Sequence, residues 1–227
     1  MPRNKYPEET RNKIVDASVK LFLTKGYDKT TILDIVAQLQ GLTRGAFYHH
    51  FKTKEDVLDA ILERMGEVGS MMDVRMEGLS GLDKLKVMLK MQKMYEQSPY
   101  KEALVVMWSL TKNPEFDAVH MSIKKHSAKH EIQPIIEEGI KDGSIKAHAN
   151  AKLIAEFMAV ILNLWLSPVH FENTDDDIKE KVKFFRQLTK GVGCDVFDDE
   201  VSKILIEVSI LLNNEVRKTL SMHERVK

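Results

Sequence analysis

Apolar residues along this chain recur at the three-and-four spacing of an α-helix. Ile14, Ala17, Ser18, Leu21 and Phe22 fall at i, i+3, i+4, i+7 and i+8, which makes one buried stripe and predicts a first helix over 8–25. Gly26 follows directly and supplies a left-handed stop. Ile32, Ile35, Val36 and Leu39 form the stripe of a short second helix. Thr31 is placed to cap it, and Asp34, three residues on, to return the bond. Gly41 permits a tight reversal, and Thr43 can then cap a third helix of two turns reaching His50, closed by the apolar Phe51. Thr53 and Asp56 repeat the capping pattern for a fourth helix, continuing to about 77, with Val57, Leu58, Ile61, Leu62 and Met65 on its inner face. Two short helices joined by a few residues containing Gly have the pattern of a helix-turn-helix.

The helical spacing continues to the far end. Gly66, Gly69, Gly78 and Gly81 suggest fraying or bending before a fifth helix near Leu82. Ser98–Pro99 and Asn113–Pro114 each read as an N-cap followed by proline at the first helical position. The segment 114–142 contains Pro134, which predicts a kink or break near Ile132, and Gly143 ends it. A very apolar helix over 149–166 stops at Ser167–Pro168. The acidic run "TDDD" opens a helix over 175–190, closed by "GVG". A last helix over 198–221 carries the stripe Val201, Ile204, Leu205, Val208, Leu211 and Leu212. The expected fold is all-α, with about nine or ten helices. A three-helix helix-turn-helix head occupies 1–54, the fourth helix connects over about 54–77, and a helical-bundle body fills 55–227.

Composition agrees with a globular chain: 43% hydrophobic and 30% charged residues, with eleven Gly and six Pro, too few for a turn-rich β protein. The longest apolar segment, "LIAEFMAVILNLWL", is broken by Glu156 and Asn163 and falls short of the roughly 20 residues that span a bilayer, so no membrane partner is expected. Cys194 is the lone cysteine, which excludes an internal disulfide and points to a reducing cytoplasm. The zero net charge conceals an asymmetry. Residues 1–54 hold ten basic and five acidic residues, a charge of +5, and the remainder holds 24 and 29, a charge of −5. A basic head on an acidic body directs attention to a polyanion at the N-terminal end.

The chemistry of that head is concentrated in "GLTRGAFYHHF", residues 41–51. Thr43 can donate to a phosphate from a helix start, where free backbone N–H groups also point. Arg44 has the planar fork that grips guanine O6 and N7 in the major groove. Gly45 lets the backbone approach closely, while Ala46 and Phe47 face inward. Tyr48 and His49 reach phosphate oxygens, and Thr31 and Lys54 hold the strand from the starts of the second and fourth helices. The competing reading is an ordinary three-helix unit with a solvated polar face.

The stretches "RNKIVDASVKLFLTKGYDKTTILDIVAQ" and "LTRGAFYHHFKTKEDVLDAI" resemble the DNA-binding head of the tetracycline-repressor (TetR) family of bacterial regulators. The resemblance covers some 50 residues; Gln40-Gly41 departs from it, where the family usually has Ala-Gly. "IIEEGIKDGSIKA" and "FFRQLTKGVG" match the later part of the family more loosely. The resemblance implies a cytoplasmic transcriptional repressor, not an enzyme and without a cofactor. It implies a homodimer on a palindromic double-stranded DNA operator, released by a small-molecule effector that binds the body. A single short recognition helix touches few base edges, whereas two related by a two-fold axis read adjacent major-groove faces. The dimer interface is expected on the helices 149–166 and 175–190 as a four-helix bundle, with Met158, Leu162, Trp165, Phe184, Phe185 and Leu188 as candidates. The competing reading is that these residues pack only within one subunit.

Eight of the twelve methionines lie between Met65 and Met107. Methionine is flexible and polarizable, so Met88, Met91, Met107, Tyr95 and Trp108 are candidates to line a pocket for a hydrophobic or aromatic effector, with core filling as the alternative. In "HMSIKKHSAKHE", His126 and His130 stand at i and i+4 with Glu131 adjacent and His120 about two turns earlier. Three readings compete for them: a solvated face, hydrogen-bonding groups of the pocket, or metal ligands. The last would make the chain a helical metal-binding protein or metalloenzyme using His126, His130 and Glu131. That spacing lacks the glutamate of a metalloprotease helix, and the expectation is no metal.

Overall fold

The computed structural model describes residues 7–39, 41, 43–61, 76–97, 100–146, 148 and 150–225, and among these residues every regular element is helical. Helix α1 spans Pro7–Lys25, α2 Ile32–Gln38 and α3 Arg44–His50; α4 is described over 54–61. Residues 62–75 lie outside the described residues, and with them Met65, Gly66, Gly69 and most of the expected connection; 76–78 form a turn. The four N-terminal helices enclose one core, in which Ile14, Val15, Phe22, Ile35, Phe47 and Val57 meet. Two residues of the body, Ala103 and Val106, belong to the same core.

The body begins at α5, Gly81–Lys90, where Ser80 Oγ accepts the Asp83 N–H at 3.2 Å as N-cap. Gly81, expected to mark a bend, has a different role. It sits at the crossing with a later helix, where a Cβ would fall 2.2 Å from the backbone nitrogen of Gly139. A 3-10 turn, Met91–Glu96, leads toward α6, Tyr100–Leu110, and Ser98–Pro99 lie outside the described residues. Helix α7, Pro114–Ser127, widens into a π-turn over Ala128–Ile132 before continuing as α8, Gln133–Asp142. Pro134 explains the widening: its ring cannot fit the preceding α-turn and it has no N–H to donate. The expected kink is therefore an inserted residue rather than a break.

Helix α9, Ala151–Val160, ends in a second π-turn, Ile161–Trp165, and α10, Asp175–Gly191, starts from a capping box between Thr174 and Asp177. The last helix, α11, spans Asp199–Arg225. Its N-terminal half carries Val201 and Leu205 into the body core beside Phe185 and Phe197. Further on, Val208, Leu212 and Val216 pack against Leu104, Val105 and Trp108 of α6. Its end reaches the head: a ring nitrogen of His223 lies 2.9 Å from the Leu23 carbonyl, and Lys29 Nζ donates to the His223 carbonyl at 3.1 Å.

Candidate nucleic-acid interface

Helix α3 is too short to be stable alone, so its neighbours must hold it. Thr43 is extended (φ −90, ψ 158), and its hydroxyl accepts the Ala46 N–H at 3.2 Å. Phe47 is 0% exposed and lies 6.0 Å from the ring of Phe51, itself buried. The turn from α2 contains Gly41 at φ +85 with nothing near its absent Cβ, so the backbone angle alone demands glycine. Anchored on this inner side, α3 turns Arg44, Gly45, Tyr48 and His49 to the exterior, with Thr43 exposed at its start. Tyr48 is 45% exposed, yet its ring rests edge-on against Phe47 at 5.6 Å. This restricts where the hydroxyl can point.

The N-terminus of α2 is held by charge as well as by its cap. Thr31 and Asp34 form a full capping box, and Lys25 Nζ meets Asp34 Oδ2 at 2.6 Å. The Lys25 ammonium, then the Thr31 hydroxyl and N–H, hold the Asp34 carboxyl down from 3.8 to about 2. A carboxyl lowered on folding contributes stability above its unfolded value and loses it as pH falls through the folded one. Acid unfolding followed by circular dichroism should therefore be steeper between about pH 4 and pH 2 for the wild type than for Asp34→Asn. The variant starts less stable at neutral pH, and equal slopes would remove Asp34 from this role.

Lys54 departs from expectation. Its ammonium is turned into the head, donating to the carbonyls of Tyr27 at 2.6 Å and Thr30 at 3.1 Å, and it lies 4.1 Å from the Tyr27 ring centroid. Tyr27 in turn donates its hydroxyl to Glu55 at 3.0 Å, and its ring meets Phe116 of α7 at 5.5 Å. Lys54 thus ties the α1–α2 turn to α4, and most of its donor capacity is used inside the protein.

In the body, a cavity of about 250 Å³ lies among α5, α6, α7, α9 and α11. Met88, Met107 and Trp108 line it; Met91 is buried in the core outside it, and the side chain of Tyr95 lies outside those described. His126 and His130 do not reach the cavity. They are exposed and stacked on each other at 4.3 Å, while Glu131 accepts the Ser127 hydroxyl at 2.6 Å. No cluster of three metal-ligating side chains exists among the described residues. The histidine that enters the cavity is His120, which the sequence marked only as an outlier of the His126–His130 pair.

The candidate interface residues divide by face. Phe185 is 0% exposed and Met158 is buried, both in the chain's own core rather than on its surface. On α10 the buried positions are Ile178, Val182, Phe185 and Thr189, and this phase turns Phe184 (45% exposed) and Leu188 outward. Trp165 is half-buried against Phe184 and Phe185, and Leu162 lines the cavity. Leu153, Phe157 and Val160, which were not among the candidates, are exposed at i, i+4 and i+7 of α9.

A Ser–His–Asp chain also occurs. His170 bridges the Ser167 hydroxyl at 2.8 Å and the Asp117 carboxylate at 3.1 Å. Ser167 is fully buried, and its oxygen accepts the N–H groups of Val169 and His170. It closes a turn, and no substrate could reach it.

Residues 14–61 match the model of the tetR family of bacterial regulatory proteins. The HTH-type transcriptional repressor KstR2 of Mycolicibacterium smegmatis is 27% identical over 159 residues, covering 67% of this chain and 75% of that protein. The HTH-type transcriptional regulator TtgR of Pseudomonas putida is 36% identical over 84 residues, 37% of this chain and 40% of that one. Among solved structures, a gamma-butyrolactone receptor (ArpA-like protein) superposes with a TM-score of 0.59 at 20% identity, over 89% of this chain and 98% of that chain. No helix among the described residues is long and apolar enough to cross a membrane.

Proposed function

The chain belongs to the TetR family of bacterial transcriptional regulators, and on that premise we propose that it is a cytoplasmic repressor that binds a palindromic operator as a homodimer and leaves it when a small molecule occupies the body. The observation that carries this reading is the division of α3 into two sides. Phe47 fixes it to the head, while Thr43, Arg44, Gly45, Tyr48 and His49 are presented outward on a segment of net positive charge. Such a surface suits a major groove, with Arg44 at a base edge and the flanking groups at phosphates. The exposed apolar residues of α9 and α10, Leu153, Phe157, Val160, Phe184 and Leu188, support pairing of two copies through these helices.

The test is selection of bound sequences from random duplex DNA, followed by titration of the selected site. An inverted repeat should emerge, with half-sites about one helical turn or a multiple apart. Sedimentation should give two chains per duplex. Arg44→Ala should cost roughly 1–3 kcal/mol and relax preference at one base step of each half-site. Selection of a single asymmetric site, or an Arg44→Ala variant with unchanged base preference, would overturn the reading. The alternative of a metalloprotein on His126, His130 and Glu131 is not favoured, because the two imidazoles are stacked, the carboxylate is engaged by Ser127, and no group of three metal-ligating side chains occurs among the described residues.

A further inference from the structure

One wall of the body cavity differs from the rest. His120, Lys124 and Ser127 recur along α7 at i, i+4 and i+7 and all line it, whereas α5, α6 and α11 contribute chiefly leucine, methionine and tryptophan. His120 is 6% exposed, stands edge-on to Trp108 at 5.1 Å, and has no hydrogen-bond partner at either ring nitrogen. Burial, reinforced by the Lys124 charge, brings the imidazole down to about 4, so at neutral pH it carries one N–H donor and one lone pair. Asp117 and His170 also face it, but they are bonded to each other. Burial likewise lowers Lys124. Glu131 opposes that shift from a distance, its carboxylate taken by Ser127. Buried polar atoms left without a hydrogen-bond partner, as both His120 ring nitrogens are, are costly unless something fills the space beside them.

We propose that this cavity binds a small apolar carboxylic acid, its carboxylate received by His120 and Lys124 and its hydrocarbon body lying against Met88, Met107, Trp108 and Leu162. The proposal rests on the reading of the cavity as the effector site and names the effector's chemical class. A carboxylate accepts from both groups and brings the negative charge that Lys124 lacks. An alcohol could satisfy His120 but would leave the ammonium uncompensated, and an amine would be repelled. The volume, about 250 Å³, lies below the usual range for drug-sized ligands and favours a compact molecule. The adjoining surface is basic as well. A neighbouring groove of about 630 Å³ shares Lys124 and Ala159 with the cavity and is lined by Lys125, Lys129 and Lys152, with Glu156 as the opposing acid, 3.8 Å from Lys152.

The experiment is calorimetric titration of the full-length protein with octanoate and phenylbutyrate, each against the alcohol of the same hydrocarbon. The acids should bind at least about tenfold more tightly than the alcohols. Lys124→Met keeps most of the unbranched apolar stem and removes the charge; it should bring the acids to the affinity of the alcohols while alcohol binding persists. His120→Phe, which keeps the packing on Trp108, should weaken the acids as well. Equal affinities for acid and alcohol in the wild type, an acid preference that survives Lys124→Met, or no binding of any of the four would overturn the proposal. Release of a selected operator is measured separately by fluorescence anisotropy. Acids that bind without releasing DNA would refute the effector reading and leave the acid site standing.

Discussion

Phe47→Ala should abolish DNA binding by unfolding the head rather than by removing a contact. The ring is fully enclosed among Ile14, Val15, Phe22, Ile35 and Val57, and truncating a buried phenylalanine costs about 3–5 kcal/mol through lost transfer energy and the cavity left behind. A seven-residue helix has no stability of its own to fall back on. Once its anchor is gone, Arg44 and Tyr48 are no longer held on one surface. Urea melts should show the loss, and binding should disappear for every DNA sequence together. Tyr48→Ala is the contrast: its side chain is largely outside the core, so binding should weaken while the melt barely moves. If Phe47→Ala melted like the wild type, the account of how α3 is presented would be wrong.

Gly81→Ala should be the second most damaging substitution. The added methyl would lie 2.2 Å from the nitrogen and 2.4 Å from the Cα of Gly139, and 2.6 Å from the Ile135 carbonyl oxygen. All three are backbone atoms, so no rotamer change relieves the clash and α5 must move away from α8. Overpacking costs about 1–3 kcal/mol in general, and a backbone-to-backbone collision belongs at the top of that range, about 3 kcal/mol. Gly139→Ala is the milder member of the pair. Its methyl meets the Ile145 side chain at 2.5 Å, which can rotate, and alanine in a helix interior recovers up to about 1 kcal/mol of propensity. Denaturant melts of the two variants should therefore differ by roughly 2 kcal/mol. Equal midpoints would mean that the crossing is looser than this geometry.

The head was legible because its information is local. Thr31 with Asp34, Thr43 with the turn at Gly41, and the inward Phe47 are decided by neighbours within a few positions, and capping and periodicity read such signals directly. The acidic start of α10 is legible for the same reason. Where side chains choose among tertiary partners, the signal weakens. Lys54 looked like a phosphate contact by its place at a helix start, but nothing in the adjacent sequence announces the carbonyls of Tyr27 and Thr30 that capture it. Phe184 and Phe185 were both interface candidates, although the stripe Ile178, Val182, Phe185 carries enough periodicity to have separated them. His120 was the hardest: its spacing to Lys124 and Ser127 is visible in the sequence, but only the packing of five helices makes that spacing the wall of an enclosure. Gly81 was read through its backbone freedom, when what mattered was the space it leaves for another helix.

Helix α6 has no room to stay still if either of its neighbours changes. Ala103 and Val106 are part of the head's interior, while one step around the same short rod Leu104, Met107 and Trp108 border the hollow of the body. Protein interiors pack as tightly as crystals of small molecules, so a shift of α6 on its cavity side would have to be taken up by the head residues packed on its other side. The two halves of the molecule therefore share a partition: one short helix is a wall of both.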